Sequence, residues 1–233
     1  MTSLPSGEAK SRLVREMFER IAPRYDRMNR LVSLGLDQRW RRAALAAIGV
    51  GPGDRVLDLA CGTGDLAALA RERGARVVAL DCAREMLRAA RRRELGGLVR
   101  ADAERLPLRD GCASAATCGF ALRNFTEPDA VLRECARVLA PEGRLALVEV
   151  GVPAGALARA GHRVWFERVV PLLGGLLSDG EAYRYLPRSV AYLPTEPALR
   201  AVLQICGFAE VRRVPFLFGA AQLYTAVRRS GAP

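Results

Sequence analysis

Apolar residues recur at Leu13, Val14, Met17, Phe18 and Ile21 with charged residues between them, a spacing that lays one apolar stripe along a helix over residues 8–21. Pro23 ends that helix, residues 25–36 read as an irregular link, and residues 38–48 read as a second helix that Gly51-Pro52-Gly53 breaks. From residue 54 short apolar runs alternate with helical stretches. Strands are expected at residues 55–59, 76–80, 98–101, 113–119 and 144–150, and helices at 65–73, 84–93 and 128–139. Such alternation predicts an α/β fold, a parallel sheet with helices on both faces. The rhythm breaks at about residues 151–194, which read as a helical insertion containing the apolar run 169–177. A helix over 197–206 and two closing strands at 210–218 and 222–228 follow. The expected organisation is an N-terminal helical appendage, residues 1–50, ahead of a main domain, residues 51–233.

The first strand, glycine turn and following helix carry the densest chemistry. Gly62, Gly64 and Ala67 fit G-x-G-x-x-G/A, in which the glycines permit a tight turn and close approach to a nucleotide. A dinucleotide would also use an acid such as Asp81 at the second strand end, but Asp58 and Asp65 flank the turn where a pyrophosphate needs positive potential. Acids there suit a cation. S-adenosylmethionine, with an ammonium, a sulfonium, a ribose diol and no phosphate, matches that pattern. The alternative is that Asp65 caps a helix and Asp58 is a strand-end turn residue. Ligands of open parallel sheets sit beyond the carboxyl ends of the strands. Asp58, Asp81 and Asp102 fall at three such ends, and Arg123-Asn124 follow the fourth strand. Asp81 is therefore expected on the ribose, Asp102 and the Ala103 N–H on adenine, and Gly62, Thr63 and Gly64 near the methionine part.

Composition narrows the class. A chain of 233 residues that is 50% hydrophobic holds one packed domain, with or without an appendage. No apolar run reaches the roughly 18 residues that span a bilayer, and residues 1–10 lack a signal-peptide core, so a cytoplasmic protein is expected. The six cysteines form no Cys-x-x-Cys pair and His162 is the single histidine, which argues for reduced thiols and against a bound metal. His162 reads as an exposed residue at a helix start. The net charge of +11 would attract nucleic acid, anionic lipid or acidic substrates without choosing among them. Nucleic-acid methylation lacks its motifs: there is no Asp/Asn-Pro-Pro-aromatic segment and no Pro-Cys.

Several segments together resemble the ubiquinone/menaquinone C-methyltransferases. They are Phe18-x-x-Ile21-Ala22-x-x-Tyr25-Asp26-x-Met28-Asn29, Ser33-x-Gly35-x-Asp37-x-x-Trp40-Arg41, the glycine turn, Leu122-Arg123-Asn124-Phe125-Thr126, Arg137-Val138-Leu139 and Tyr183-Arg184-Tyr185-Leu186-Pro187-x-Ser189-Val190. The resemblance implies a class I methyltransferase fold, a Rossmann-like sheet of seven strands ending in an antiparallel hairpin. It also implies methyl transfer from S-adenosylmethionine to a ring carbon of a lipid-soluble polyprenylated quinol, most often demethylmenaquinol, without a metal. Arg123 would then stabilise the phenolate oxygen and Asn124 orient it, with Asp26, Tyr25 or a water between them as candidate bases. The stripe at residues 8–21, the run 169–177 and Arg15, Arg20, Arg24 and Arg27 are candidates for covering a prenyl tail or for transient membrane-surface contact; core packing is the competing reading. A homo-oligomer is compatible with the sequence.

The chain departs from the family pattern in places. Gly119-Phe120-Ala121 stands where Ser-Phe-Gly is usual, which removes a serine contact and leaves backbone contact at Gly119. Ser114 and Glu142 replace an aspartate and a glycine, and the stretch Gly219-Ala-Ala-Gln-Leu-Tyr224 lacks the family's Ala-x-His histidine. These changes keep open a related enzyme that O- or N-methylates another aromatic molecule, and a non-catalytic binder of S-adenosylmethionine.

Overall fold

The computed structural model describes residues 5–170, 172 and 180–230. Three helices come first: α1 (Gly7–Ile21), α2 (Tyr25–Val32) after a 3₁₀ turn at Ala22–Arg24, and α3 (Leu36–Ala47). The expected irregular link at 25–36 is thus mostly helix. Pro23 occupies the first turn of the 3₁₀ segment, where its missing N–H is not needed, so it bends the chain without ending helical structure. Then follow β1 (Arg55–Leu59), α4 (Asp65–Glu72), β2 (Arg76–Asp81), α5 (Arg84–Arg91), β3 (Leu98–Arg100), β4 (Ala113–Gly119), α6 (Pro128–Val138) and β5 (Leu139–Val150). The insertion holds α7 (Ala156–Val164), a π-helical turn at Trp165–Val169 and α8 (Gly180–Ser189). Most of the apolar run 169–177 lies outside the described residues. The chain closes with α9 (Glu196–Ile205), β6 (Phe208–Phe216) and β7 (Ala221–Arg228).

One sheet runs in the order β3-β2-β1-β4-β5-β7-β6. The first five strands are parallel, while β7 pairs antiparallel with both β5 and β6. β5 begins five residues earlier than the sequence pattern predicts: Leu139 already pairs with Ala113, and the ladder shifts register before resuming at Ala115 and Arg144. β6 likewise begins at Phe208, ahead of an irregularity between Ala209 and Arg212.

Burial explains the layers. Leu57, Leu59, Leu80 and Leu145 pack with α6 and α9 residues such as Leu132 and Leu203. Val56, Ala115 and Val148 pack with Leu45 of α3 and Leu66 and Leu69 of α4. A third core belongs to the N-terminal helices: Met17, Ile21 and Met28 meet Met86 of α5 and Ala182 of α8. The apolar stripe of α1 faces inward, and Val14, Met17 and Ile21 are buried. Among the described residues, no helix is long and apolar enough to cross a membrane.

Candidate active site

The strand order reverses between β1 and β4, and the carboxyl ends of β1, β2 and β4 with the loop after β3 surround a crevice at that point. Gly62 and Gly64 turn the chain with φ of 56° and 85°, a left-handed backbone that favours glycine. A side chain at Gly64 would also run into Leu95. Asp81, 8% exposed, locks the turn: its Oδ2 accepts the Gly62 N–H at 2.8 Å and its Oδ1 the Ala83 N–H at 2.8 Å. Burial pushes its pKa up against those bonds. Asp81, Asp102, Ala103, Gly62 and Gly119 line the crevice.

Asp58, Thr63 and Gly64 stand behind that surface. Asp58 is 1% exposed and accepts Thr117 Oγ1–H at 2.7 Å and the Ala67 N–H at 3.1 Å, so it braces β4 and α4 against β1. Burial raises its pKa to about 7. Thr63 Oγ1 donates to Asp26 Oδ1 at 2.5 Å, and Asp26 Oδ2 takes Arg93 Nη2 at 2.5 Å, so Asp26 fastens α2 to the glycine turn and lies outside both cavities of the site. Asp65 accepts Arg30 Nη2 at 3.0 Å and lies 3.0 Å from Arg93 Nη1 and 3.5 Å from Arg41 Nε. Burial opposes its charge, but Arg41, Arg30 and Arg93 together hold its pKa below the ordinary value. The cation that its position demands comes from the protein. Arg30 and Arg41 also pair with the buried Asp37, closing a network of three arginines and three aspartates that sequence spacing did not reveal.

The lining still fits S-adenosylmethionine. Two carboxylates at strand ends, Asp81 and Asp102, face the crevice as acceptors for hydroxyl and amino hydrogens, while a pyrophosphate there would meet like charge. Asp102 would hold the adenine edge with the Ala103 backbone, and Asp81 the ribose.

Beyond the crevice lies a second cavity of about 320 Å³, walled largely by apolar side chains of α1, α2, the insertion and the turn between β6 and β7. Phe18, Tyr25, Phe120 and Asn124 line both spaces and form the neck between them. Tyr25 is partly buried, and desolvation raises its pKa although Arg41 and a hydrogen bond with Asn29 lower it in part. Arg123, on the cavity side, is 5% exposed; its Nη1 donates to Glu149 Oε1 at 2.5 Å and to the Phe120 carbonyl at 2.6 Å, and its Nε to Ser189 Oγ at 3.0 Å. Tyr185 donates its hydroxyl to Asn124 Oδ1 at 3.3 Å, and burial lifts its pKa to about 12. The insertion thereby helps to fix both Arg123 and Asn124. Glu149 is 1% exposed and was missed as a functional residue; a lone carboxylate in the apolar strand Leu145-Ala-Leu-Val-Glu-Val150 was its signal, because a buried charge requires a partner.

His162 lies near the end of α7 rather than at a helix start. It borders the cavity, packs on Phe166 with ring centroids 4.4 Å apart, and has an enclosed Nε2 without a hydrogen-bond partner; burial lowers its pKa. Among the described residues, no group of His, Cys, Asp and Glu is placed to hold a metal ion.

This sheet, with an acidic crevice at its switch point, defines a class I S-adenosylmethionine-dependent methyltransferase. Solved structures share the fold: an S-adenosylmethionine-dependent methyltransferase from Aquifex aeolicus superposes with a TM-score of 0.62 over 87% of this chain and 97% of its own, at 18% identity. Phosphoethanolamine N-methyltransferase 2 of Haemonchus contortus, bound to S-adenosylmethionine, gives 0.61 over 82% and 53%, at 16% identity. The chain belongs to the ubiE/COQ5 methyltransferase family, whose model matches residues 6–228. It is 46% identical to a demethylmenaquinone methyltransferase of Thermus thermophilus over 91% of this chain and 100% of that protein. It is 41% identical to a demethylmenaquinone methyltransferase of Deinococcus radiodurans over 94% of each. A ubiquinone/menaquinone biosynthesis C-methyltransferase of Geobacter sulfurreducens is 37% identical over 93% of this chain and 88% of its own.

Proposed function

We propose that this protein transfers the methyl group of S-adenosylmethionine to a ring carbon of a polyprenylated quinol, demethylmenaquinol. The observation that carries this reading is the neck: a polar crevice suited to the cofactor opens through Phe18, Tyr25, Phe120 and Asn124 onto an apolar cavity suited to a lipid ring. In such a transfer the ring carbon ortho to an ionised hydroxyl attacks the methyl carbon in line. The carbon–sulfur bond would break to release S-adenosylhomocysteine, and the ring carbon would then give up its hydrogen as a proton to water, restoring the aromatic ring. Arg123 stabilises the phenolate oxygen, with Glu149 and Ser189 holding its guanidinium in place. Asn124 orients the ring, and Tyr25, whose pKa desolvation raises, stays protonated as a donor at the neck.

The test is incubation with methyl-labelled S-adenosylmethionine and demethylmenaquinol. Label is expected on a ring carbon; a folded preparation that binds the cofactor and leaves the quinol unlabelled overturns the proposal. Arg123→Lys is expected to lower kcat by about 10²–10³-fold with cofactor binding retained. A second reading has its own support. Leu217, Phe218 and Ala220 line the acceptor cavity, and they lie in or beside the stretch where the sequence leaves the family pattern. A different aromatic acceptor, methylated on oxygen or nitrogen, would give a label lost on ether cleavage or carried on an amine.

A further inference from the structure

The mouth of the acceptor cavity exposes large apolar side chains from three separate segments. Leu34, in the turn between α2 and α3, is 69% exposed; Leu217 and Phe218, between β6 and β7, are 52% and 77% exposed. All three line the cavity. Each also has a left-handed backbone, with φ of 52°, 44° and 55°, a conformation that bulky side chains rarely adopt. The third segment is α7. It buries no residue, exposes Leu157 (89%) and Val164 (51%), and contributes Ala158, Gly161 and His162 to the cavity wall. The β6–β7 turn lies directly against the entry to this helix, since Ala154 N–H donates to the Phe218 carbonyl at 2.9 Å.

Charge says what covers this face. Arg159 and Arg163 on α7 and Arg168 in the turn after it are exposed and form no ion pair among the described residues; Glu167 is the one acid from 156 to 169. A helix that fully buries none of its own apolar residues and carries unpaired arginines suits the headgroup region of a membrane. A second copy of this chain would bring a patch equally basic, and like charges would oppose that contact.

We infer that this rim, Leu34, Leu157, Val164, Leu217 and Phe218 with Arg159 and Arg163, rests on an anionic lipid bilayer, so that the acceptor cavity opens into the membrane. The membrane contact thus belongs to the cavity mouth, away from the buried stripe of α1. The inference rests on the proposed function only in naming a lipid as the guest of the cavity; the docking needs no acceptor.

The test is co-sedimentation of the full chain with vesicles of phosphatidylglycerol and phosphatidylcholine, without quinol. The protein is expected to bind these vesicles, and to bind less as salt is raised or when phosphatidylcholine alone is used. Replacing Leu34, Leu217 and Phe218 together by serine is expected to weaken partitioning about tenfold or more, because each large side chain gains on that scale in leaving water. R159E with R163E is expected to abolish the preference for anionic vesicles. Retained S-adenosylhomocysteine binding by calorimetry shows that each variant is folded. Equal binding by the serine variant and the parent overturns the inference. So does self-association through this face, seen by sedimentation velocity, with no vesicle binding. Methylation is not measured, so failure of the proposed reaction and failure of the docking give separate results.

Discussion

The cofactor crevice is shaped by the strand-end loops between Ala60 and Thr126 with α1 and Tyr25 against them, whereas the acceptor cavity is set by side chains gathered from Met17 to Ala220. In the crevice Asp81 reads two N–H groups, of Gly62 and Ala83, and the turn follows from glycine conformations. In the cavity Arg123 takes its position from Glu149 on β5 and Ser189 on α8, and Asn124 from Tyr185. A backbone-built site tolerates change around it. One held by paired side chains can alter its guest by altering a pair, and fails when a partner is lost.

The largest effect that would break this contrast is expected from Glu149→Ala. It leaves the Arg123 charge buried without its counterion and is expected to cost about 3–5 kcal/mol in urea unfolding, with Glu149→Gln recovering part of the loss. Cofactor affinity of the folded fraction should barely change, and a large loss of that affinity would show that the two regions are not separable.

Asp58 tests the crevice from behind. Its folded pKa of about 7 lies above the ordinary 3.8, so the protonated form is the one that folding favours. Its stabilising contribution is complete below about pH 4 and is lost as pH rises through 7, by up to about 4 kcal/mol. Urea midpoints should fall over that window, and Asp58→Asn should flatten the decline. An unchanged slope in the variant would assign the pH dependence to other groups.

Asp81→Ala is expected to weaken S-adenosylmethionine binding about 100-fold by calorimetry, since it removes a proposed ribose acceptor and frees the glycine turn together. The smallest effect sharpens the comparison. Thr63→Val cuts the bond to Asp26 that joins the glycine turn to α2, and about 1 kcal/mol is expected from it. If that bond couples the two regions, steady-state kinetics will show a several-fold rise in KM for both substrates; a rise for one alone leaves them independent.

The same contrast explains what was legible in the chain. The strands, the glycine turn and the acids at Asp81 and Asp102 follow from local pattern, because backbone geometry is encoded near where it is used. The short helix Tyr25–Val32 was hidden: Met28 is its one buried residue, and Pro23 reads as a stop. Asp65 was read as a partner for a bound cation, since its pairing with Arg30, Arg41 and Arg93 spans 24 to 35 residues, a separation that no periodicity reports. Arg123 and Asn124 were legible by resemblance, but Glu149 and Ser189, which hold Arg123, sit 26 and 66 residues further on.

The position of β7 inside the sheet, between β5 and β6, bears on how the molecule is made. A chain emerging from the ribosome can pair its first five strands in order, but β5 keeps an open edge until residue 228 is available. The turn that carries Leu217 and Phe218 to the cavity mouth is fixed only when that last strand slots in. A nascent chain stalled after β6 would thus carry a nearly finished cofactor crevice, a raw strand edge and an acceptor chamber missing its β6–β7 wall, a product for chaperones and proteases rather than a partial enzyme.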